Sequence, residues 1–569
     1  MHRTILAAHV AALAWLASGS AQAAPSAGQT YFERNCASCH TVDAKLGSRT
    51  GPGLYNVVGR KAAAVAGYNY TDALTKAGAA GKTWTREELD VFLRDPNKDV
   101  PGTAMPIGIA DAKARAAVID YLATQSGKAA APAAASTAAA AKPAAGGEKA
   151  GAWTEDKPGD LHHLTVDKLV APYASESAGN GPKVAARPSG ALPAVPKGFK
   201  VSTFAGDTGK ARLALRAPNG DIIVSEASKG QVSILRPGAG GDKAETVSVF
   251  ATGLSRPYGL ALWPSGANPK YLYVANVNSV VRYPYANGDL KAKGEPETIV
   301  EKIADTGGGH VTRTLAFSKD DKTLLLSVGS ATNYASNIGA KPPVALAQWE
   351  KEHGLGAAWG EETDRASVLA FDVDGKNRRP FANGLRNCVG MLVHPQTGDL
   401  FCSVNERDEL GDNLPPDYVT RVKQGGFYGW PWYYLGDHED PRLKGIRPDL
   451  KGRAIVPDTL IQAHSAPLGM TVYQAPAGAK HVFPKEYEGD IFVALHGSWN
   501  RGIRTGYKVI RVMMKNGVPT GQYQDFMTGM VLSDRDVWGR PAAVTVAQDG
   551  ALLVVDDAGG VVWRVAPEK

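Results

Sequence analysis

Two cysteines and a histidine near the start of the chain have the spacing of a covalent haem site. The run CASCH extends from Cys36 to His40 and matches C-x-x-C-H. Cysteines one short loop apart can form two thioethers with one haem, and the adjacent histidine then lies under the ring to ligate iron. Met105, in the proline-containing run PGTAM, is the predicted sixth ligand. His/Met ligation is typical of a high-potential, electron-transfer haem.

Residues 28–127 resemble the mitochondrial class of small cytochromes c. The likeness rests on CASCHTVDA, GPGLYNVVGRKAA, GYNYT, Trp84 and VFLRDPN, in that order and spacing. It implies an all-α cytochrome c domain over residues 24–127. The site residues implied are Cys36 and Cys39 for covalent attachment, His40 and Met105 as axial ligands, Pro52 to orient His40, and Arg60, Tyr70 and Trp84 around a haem propionate.

The first residues predict export. A short basic start is followed by an apolar run from Ile5 to Ala17, and AQA at 21–23 fits the small-residue cleavage rule, so residues 1–23 are predicted to be a signal peptide. The run is short for a membrane span, which leaves an uncleaved anchor as the alternative and predicts no integral membrane segment in the mature chain. Attachment of haem at C-x-x-C-H normally takes place outside the bacterial cytoplasm. The periplasm is therefore the predicted compartment.

Length and composition require more than one domain. The chain has 569 residues, 44% of them hydrophobic, which is globular in composition and too long for one small cytochrome. Its formal net charge of +7 is spread along the sequence. With no basic run or aromatic-and-arginine repeat, nucleic acid is not an expected partner.

Residues 128–151 form a low-complexity stretch, KAAAPAAASTAAAAKPAAGGEKAG. It has little to bury, and prolines and glycines interrupt the helical tendency of its alanines, so we predict a semi-flexible linker. A linker between a haem domain and a larger second domain suggests that the two exchange electrons while docking reversibly.

After the linker the hydrophobic pattern changes to that of short strands. Runs such as DIIVSEA, YLYVAN, TLLLSVG and ALLVVDD recur with Gly, Asp, Asn or Pro between them. A unit of strand, turn, strand, short gap, strand recurs about six times when longer insertions are allowed, and a radial array buries such units against each other. The prediction for residues 152–569 is therefore an all-β, six-bladed β-propeller.

Cys388 and Cys402 fall in one predicted hairpin, RNCVGMLVHPQTGDLFCSV. Pairing about its turn places them near each other on adjacent strands. In an oxidising compartment a disulfide is the first interpretation, and two buried free thiols are the alternative.

Polar residues recur where predicted strands end and connecting loops begin, which is where the channel of a propeller is lined. They are His310 before VTRTLAF; Arg386 and Asn387 before another strand; Asn405, Glu406, Arg407 and Asp412 in an acidic loop; His496 and Arg501 in HGSWNR; and Arg540 in WGRP. Each one alone is more often structural. Their recurrence at equivalent blade ends makes them candidates for a site.

At these residues a second family resemblance is visible. GGGHVTRTLAFSKD, GLRNCVGMLVHPQTGDLFCSVNERDELGDN and VKQGGFYGWP resemble the soluble glucose and sorbosone dehydrogenases, six-bladed quinoprotein propellers that bind pyrroloquinoline quinone (PQQ) and Ca²⁺. The likeness covers nearly all of residues 190–567. SVNERDELGD and HGSWNR are closer to the sorbosone branch. Where the glucose branch has a lysine facing the quinone, this chain has His496 or Arg501.

The resemblance assigns roles to these residues. His310 is the implied general base, which takes a hydroxyl proton as hydride leaves carbon and must be neutral to act. The backbone carbonyls of Glu406 and Arg407 are the implied Ca²⁺ ligands. The residues expected to contact PQQ, whose three carboxylates suit arginine, are Arg386, Asn387, Asn405, Asp412, His496, Arg501 and Arg540.

These expectations combine into one functional hypothesis and two alternatives. The hypothesis is a periplasmic dehydrogenase that uses PQQ and Ca²⁺ to oxidise a sugar or sugar aldehyde and passes electrons through its own haem c to a cytochrome or respiratory oxidase. One alternative is a calcium-dependent propeller lactonase, which needs an acidic metal cage rather than arginines. The other is a non-catalytic propeller that serves as a docking platform for the cytochrome.

Overall fold

The computed structural model of the chain describes residues 26–36, 40–42, 51–66, 68, 70–103, 105, 108–125, 151–304, 309–335, 338, 342 and 344–568. The chain divides into two compact units, Met1–Ala135 and Ser136–Lys569. The predicted signal peptide and nearly all of the predicted linker lie outside the described residues. None of the helices in the described ranges has the length and apolar character needed to cross a bilayer.

The first unit is helical. Its helices are α1 (Ala27–Asn35), α2 (Asp72–Ala79), α3 (Arg86–Arg94), α4 (Pro96–Asp99) and α5 (Ala112–Thr124). Each begins after a Ser, Thr or Asp whose side-chain oxygen accepts a backbone N–H of the first turn, the usual N-cap arrangement. Helices α1 and α5 cross closely at Gly28, where a Cβ would lie 2.0 Å from the Ala117 carbonyl oxygen. The aromatic rings of Phe32 and Tyr121 pack beside this crossing.

In the second unit the chain makes an ordered segment before the first blade. We name residues 151–198 the strap; it contains the short strands β1 (Leu161–His162) and β2 (Lys183–Val184). The Trp153 indole N–H donates to Asp534 Oδ1 at 2.8 Å, and the backbone N–H of Asn180 donates to the Trp499 carbonyl at 2.7 Å. The strap is therefore held against loops that connect the later blades.

In the described part of the chain, six sheets of four or five strands form the blades. After β3 (Phe199–Ala205), the first blade contains β4 (Leu213–Arg216), β5 (Ile222–Glu226), β6 (Gln231–Pro237) and β7 (Ala244–Ala251). The second blade contains β8 (Leu260–Trp263), β9 (Tyr271–Ala275), β10 (Val280–Pro284) and β11 (Glu297–Val300). The third blade contains β12 (Leu315–Phe317), β13 (Thr323–Val328), β14 (Ser367–Asp372) and β15 (Arg379–Asn383), with α6 (Leu346–His353) in an insertion between β13 and β14.

The fourth blade contains β16 (Cys388–Val393), β17 (Leu400–Val404), β18 (Asp417–Val422) and a later strand. Three short strands lie between β18 and this later strand: β19 (Gly426–Phe427), which pairs with β15, and the hairpin of β20 (Tyr433–Tyr434) and β21 (His438–Glu439). The later strand is β22 (Thr459–Ile461), which completes the blade. Cys388 on β16 and Cys402 on β17 are joined by a disulfide.

The last two blades complete the ring. The fifth contains β23 (Pro467–Val472), β24 (Ile491–Leu495), β25 (Lys508–Lys515) and β26 (Val518–Met527), to which β1 of the strap adds; β27 (Asp536–Val537) pairs with β2. The sixth contains β28 (Pro541–Val546), β29 (Leu552–Asp556) and β30 (Val561–Pro567), with β3 as its fourth strand. The start and the end of the propeller are thus fastened in one sheet.

The first strand of every blade faces the centre. Strands β4, β8, β12, β16, β23 and β28 contact one another in a closed ring. The second strands β5, β17, β24 and β29 are buried at every position, because neighbouring blades cover both of their faces. These strands are therefore mostly apolar, as in IIVSE, IFVAL and LLVVD. The predicted all-α domain followed by a six-bladed all-β propeller is confirmed.

Candidate functional site

The predicted axial histidine of the first unit is held by a backbone carbonyl. His40 Nδ1 lies 2.8 Å from the Pro52 carbonyl oxygen. A carbonyl oxygen only accepts, so Nδ1 carries the proton and Nε2 keeps the lone pair that a metal requires. Gly51 allows this approach, because a Cβ there would lie 2.2 Å from His40 Cε1. Burial lowers the pKa of His40, which favours the neutral ligand form.

Arg60, Tyr70 and Trp84 are neighbours in the structure. The Arg60 guanidinium donates to the carbonyls of Tyr55 and Gly53 at 2.8 and 2.7 Å. Its backbone carbonyl accepts from the Trp84 N–H at 2.8 Å. Burial raises the pKa of Tyr70, so that its hydroxyl remains a donor. Among the described residues, Arg60 Nε is buried with no hydrogen-bond partner. An orphaned cationic donor of this kind fits a propionate.

Met105 packs partly buried against the apolar core of this unit. Cys36 follows α1 directly, and its N–H donates to the Phe32 carbonyl at 2.8 Å. Cys39 lies outside the described residues. The residues that the structure does describe fit a haem c: a preset imidazole, a thioether in the core and an unpaired buried guanidinium N–H.

In the second unit the predicted site residues stand at one end of the blades. First and second strands of a blade are antiparallel, so the residue before a first strand and the residue after a second strand share one end. His310, Arg386 and Arg540 precede β12, β16 and β28, whereas Asn405 and His496 follow β17 and β24. We name this end the site face.

His310 is half-buried on the site face. Its Nδ1 lies 2.9 Å from Ser330 Oγ and 3.1 Å from the Ser330 carbonyl oxygen. Burial, together with the positive charge of Arg386, lowers its pKa to about 3, although the hydrogen bond to Ser330 and the charge of Asp408 act in the opposite direction. His310 is thus neutral over the physiological range, as a general base requires.

The Arg386 guanidinium is surrounded by acceptors of the protein itself. Nε and Nη2 donate to the carbonyl and side-chain oxygens of Asn333 at 3.0 and 2.8 Å. Nη1 donates to the carbonyls of Asn405 and Glu406 at 3.1 and 2.7 Å, and Nη2 lies 3.4 Å from Asp408 Oδ2. Arg386 therefore organises the loop after β17, and its fork is not open to a cofactor carboxylate.

The same contact bears on the predicted calcium ligands. The Glu406 carbonyl already accepts from a guanidinium, and a second positive charge on that oxygen is unfavourable. The Arg407 side chain is buried and paired with Asp440 at 2.6 Å. Across the described ranges, no group of three or more His, Cys, Asp or Glu residues is arranged to hold a metal ion. With the Glu406 carbonyl occupied by a guanidinium, this pair of carbonyls does not fit Ca²⁺ as arranged.

Acidic groups next to this loop are deeply buried. Burial raises the pKa of both Glu406 and Asp417 to about 7. Asp417 Oδ1 accepts the backbone N–H of Glu406 at 2.8 Å. Asp408, whose pKa is lowered by its hydrogen bond to His464 and by Arg386 despite burial, keeps its charge beside that cation. The carboxylate of Asp408 thus balances the positive charge of Arg386.

Asn387 lies beside His310 at a close approach of backbone. A Cβ on Gly329 would lie 2.5 Å from Asn387 Oδ1 and 2.6 Å from His310 Cβ. Thr312 Oγ1 contacts Asn387 Oδ1 at 3.4 Å. The amide of Asn405 donates to the Pro467 carbonyl at 2.6 Å, which joins the fourth blade to the start of the fifth.

A second cluster on the site face surrounds His496. His496 Nε2 lies 2.8 Å from Asp557 Oδ1, and Asp557 is also paired with Arg212. Burial, together with the charge of Arg540, lowers the pKa of His496 to about 3. Arg540 Nε donates to the His496 carbonyl at 3.0 Å. The fifth, sixth and first blades meet at this cluster.

Two donors of this second cluster remain available. Tyr258 Oη is buried with no hydrogen-bond partner among the described residues. Burial raises the pKa of Tyr258 to about 12, so the hydroxyl stays protonated. Within the same ranges, Arg540 Nη1 makes no hydrogen bond, and Nη2 has only the Gly497 carbonyl at 3.4 Å. A buried hydroxyl and a guanidinium edge fit an anionic cofactor such as PQQ.

The structure does not bring Asp412 and Arg501 to either cluster. Asp412 accepts from the Gly502 N–H at 3.0 Å, and its own N–H donates to Ser175 Oγ at 2.8 Å. Arg501 donates to the Gly151 carbonyl at 3.2 Å. Both residues lie within their loops, where residues of the strap contact them. Their role in the structure is to hold the strap.

Sequence reasoning missed several residues of the site face. Arg212 and Tyr258 precede first strands, Asp557 and Ser330 follow second strands, and His464 pairs with Asp408. The signal that could have found the first four is the rule that selected His310 and Arg540, applied to every blade. His464 carries no such signal, because only the fold brings it to Asp408.

The fold and these sites define a class: a six-bladed propeller joined to a haem-binding cytochrome c domain. The TrAA12-like family model matches residues 193–421 and 451–568, and the cytochrome c family model matches residues 25–126. Because the first match spans more than half of the chain, the chain belongs to the TrAA12-like family. The expected resemblances to small cytochromes c and to PQQ-dependent sugar dehydrogenase propellers are confirmed. The closer likeness to the sorbosone branch stays a prediction.

Individual proteins give the same division. An uncharacterized protein of Borreliella burgdorferi is 27% identical over 66% of this chain and 91% of its own length. Cytochrome c2 of Rhodomicrobium vannielii is 41% identical over 21% of this chain and 92% of its own length. The first relative therefore matches about two thirds of this chain, and the second about one fifth.

Solved structures similar to the propeller show its fold. The holo PQQ domain of pyranose dehydrogenase from Coprinopsis cinerea has a TM-score of 0.53 and 20% identity, covering 67% of this chain and 98% of that one. The calcium structure of a Trichoderma reesei family AA12 carbohydrate-active enzyme has a TM-score of 0.51 and 19% identity, covering 66% and 97%.

Proposed function

We propose that the protein is a periplasmic quinoprotein dehydrogenase that oxidises a sugar or sugar aldehyde and exports the electrons through its own haem c. The observation that carries the proposal is a neutral, anchored histidine, His310, on the site face of a propeller joined to a cytochrome c domain. Support comes from membership of the TrAA12-like family and from the fold shared with the PQQ domain of a pyranose dehydrogenase.

When bound, PQQ supplies a hydride acceptor and haem c a carrier of single electrons to an external acceptor, a cytochrome or a respiratory oxidase. His310 Nε2 takes the substrate hydroxyl proton as the carbon loses hydride and its C–O bond becomes a carbonyl. The Tyr258 hydroxyl and the Arg540 guanidinium would hold carboxylates of PQQ. Arg386 and Asp408 contribute a fixed field beside His310 and stay bonded to the protein.

In the first unit, residues prepare an electron-transfer site. His40, fixed by Pro52, and Met105 would hold the iron of a bound haem, and Arg60 would neutralise a propionate. None of these groups needs to move a proton during electron transfer. Proton transfer would thus take place at His310, and electron transfer at the haem bound by His40.

The proposal is tested with the purified full-length protein. PQQ is added, then aldoses, sorbosone or simple aldehydes one at a time, and the α band of reduced haem c is followed. Substrate-dependent reduction that requires PQQ supports the proposal. Haem that stays oxidised with every sugar and aldehyde, although mass spectrometry shows bound PQQ, contradicts it.

A further inference from the structure

The Nδ1 atom of His310 contacts two oxygen atoms of one residue. Ser330 Oγ is 2.9 Å away and the Ser330 carbonyl oxygen is 3.1 Å away. The carbonyl oxygen can only accept. The hydroxyl donates its own proton to the Thr332 carbonyl at 2.7 Å, so toward His310 it also accepts. Both contacts therefore require a proton on Nδ1, which leaves the lone pair of the neutral ring on Nε2.

The loop that carries Ser330 is held by a buried carboxylate. Glu362 is 2% exposed and accepts the backbone N–H groups of Ala331 and Thr332 at 2.7 and 2.8 Å. It also accepts the Thr332 hydroxyl at 2.7 Å. Because the Thr332 carbonyl accepts the hydrogen bond from the Ser330 hydroxyl, Glu362 fixes the acceptor that sets the direction of that hydroxyl.

Arg365 ties the histidine and the serine loop together. Its guanidinium donates to the carbonyls of Gly329 and His310, each at 3.0 Å. Glu362 and Arg365 both come from the insertion between β13 and β14. One function of this insertion is thus to hold the loop Gly329–Thr332 against His310.

We propose that Ser330 is a positioning residue that selects the Nδ1–H tautomer of His310, with Glu362 and Arg365 holding it in place. The catalytic meaning of this inference rests on the proposed function, in which His310 is the base. A neutral imidazole has two tautomers, and only this one presents a lone pair at Nε2. A carboxylate in the place of Ser330 would also stabilise the imidazolium. A hydroxyl and a carbonyl fix the ring without that effect.

The tautomer is measured without any cofactor chemistry. The full-length protein is labelled with ¹⁵N-histidine, and the His310 signals are assigned by their loss in His310→Gln. We expect a protonated Nδ1 and a pyridine-type Nε2 at neutral pH. Ser330→Ala should admit a measurable share of the Nε2–H tautomer, and Ser330→Thr should restore the wild-type pattern. A wild-type His310 protonated on Nε2, or a Ser330→Ala pattern identical to wild type, would overturn the proposal.

Activity gives the second readout. With PQQ and an accepted sugar, we expect Ser330→Ala to lower kcat for haem reduction about 10-fold with KM changed less than twofold, and Ser330→Thr to recover most of it. Ser318→Ala is the matched control: Ser318 lies at the opposite end of the same blade and bonds Asp320. Unfolding curves of all variants show whether they fold.

The two proposals fail in different ways. If the wild type reduces its haem with no sugar or aldehyde, the proposed function fails, while the NMR pattern still decides the tautomer. If the wild type is active and Ser330→Ala keeps full kcat, the positioning role fails, while the proposed function stands.

Discussion

The haem pocket of the first unit and the site face of the propeller use one device for different ends. In each, a histidine Nδ1–H donates to a backbone carbonyl: His40 to Pro52 at 2.8 Å and His310 to Ser330 at 3.1 Å. Each leaves Nε2 with a lone pair. At His40 the lone pair suits a metal, whereas at His310 it suits a proton. The partner group at Nε2, and not the histidine's own anchor, decides between ligand and base.

The two regions differ in how far apart in sequence their parts lie. His40 and Pro52 are 12 residues apart. The propeller clusters join the ends of several blades, such as Arg212 with Asp557, 345 residues away. A site of the second kind depends on closure of the whole ring. We expect it to be the more sensitive to substitutions that shift backbone.

The largest effect should follow from removing the axial histidine. His40→Ala should lower sugar-dependent haem reduction more than 100-fold, because the iron loses its ligand. Sugar oxidation measured with a soluble dye acceptor should stay within twofold, since the propeller is unchanged. Equal loss of both activities would show that the two regions do not act separately. His163→Ala, an exposed histidine of the strap, is the control.

The next effect should follow from removing the base. His310→Ala should lower kcat in the dye assay about 10²- to 10⁴-fold, because the proposed general base is removed. The absorption spectrum of the haem should not change. Wild-type dye reduction by His310→Ala would remove His310 from the chemistry.

Adding a methyl group to a glycine of the site face should have a smaller effect than removing the base. Gly329→Ala places a Cβ against both His310 and Asn387, and should lower kcat about 10-fold and stability by about 1–3 kcal/mol. Gly206→Ala is the matched control, because a Cβ there meets nothing within 4 Å. Equal kcat values for the two variants would mean that the approach at Gly329 is not needed.

The smallest effect is on the pH dependence of stability. Burial and Arg386 lower the pKa of folded His310 to about 3, against about 6.5 unfolded. Between these values the unfolded chain binds more protons, so stability falls as pH falls below 6.5. From pH 7 to pH 5, wild type should lose up to about 2 kcal/mol more than His310→Gln in urea unfolding.

This difference isolates His310 from its charged neighbours, Arg386, Arg365 and Asp408. Glu406 and Asp417, with pKa values of about 7, act in the opposite direction in both proteins. An equal loss in wild type and His310→Gln would show that folded His310 titrates normally.

The sequence could predict local features of the molecule and not its long-range pairs. C-x-x-C-H and the strand runs indicated a cytochrome c domain and six blades, and blade ends selected His310, Arg386 and Arg540. A sequence does not show whether a side-chain donor is already hydrogen-bonded within the protein. Arg386 was expected to hold PQQ, yet its guanidinium donates to the carbonyls of Asn333, Asn405 and Glu406. The strap was also missed, because its strands are only two residues long and its other contacts, such as Trp153 to Asp534, are single hydrogen bonds without strand periodicity.

We propose that sugar oxidised at the propeller reduces the haem of the same chain. This proposal is tested most directly by stopped-flow mixing of the PQQ-loaded protein with an accepted sugar, at several protein concentrations. Because transfer within one chain is unimolecular, we expect the α band of reduced haem c to appear with a rate constant that does not depend on protein concentration. A rate constant proportional to protein concentration, or no reduction at all, would contradict it.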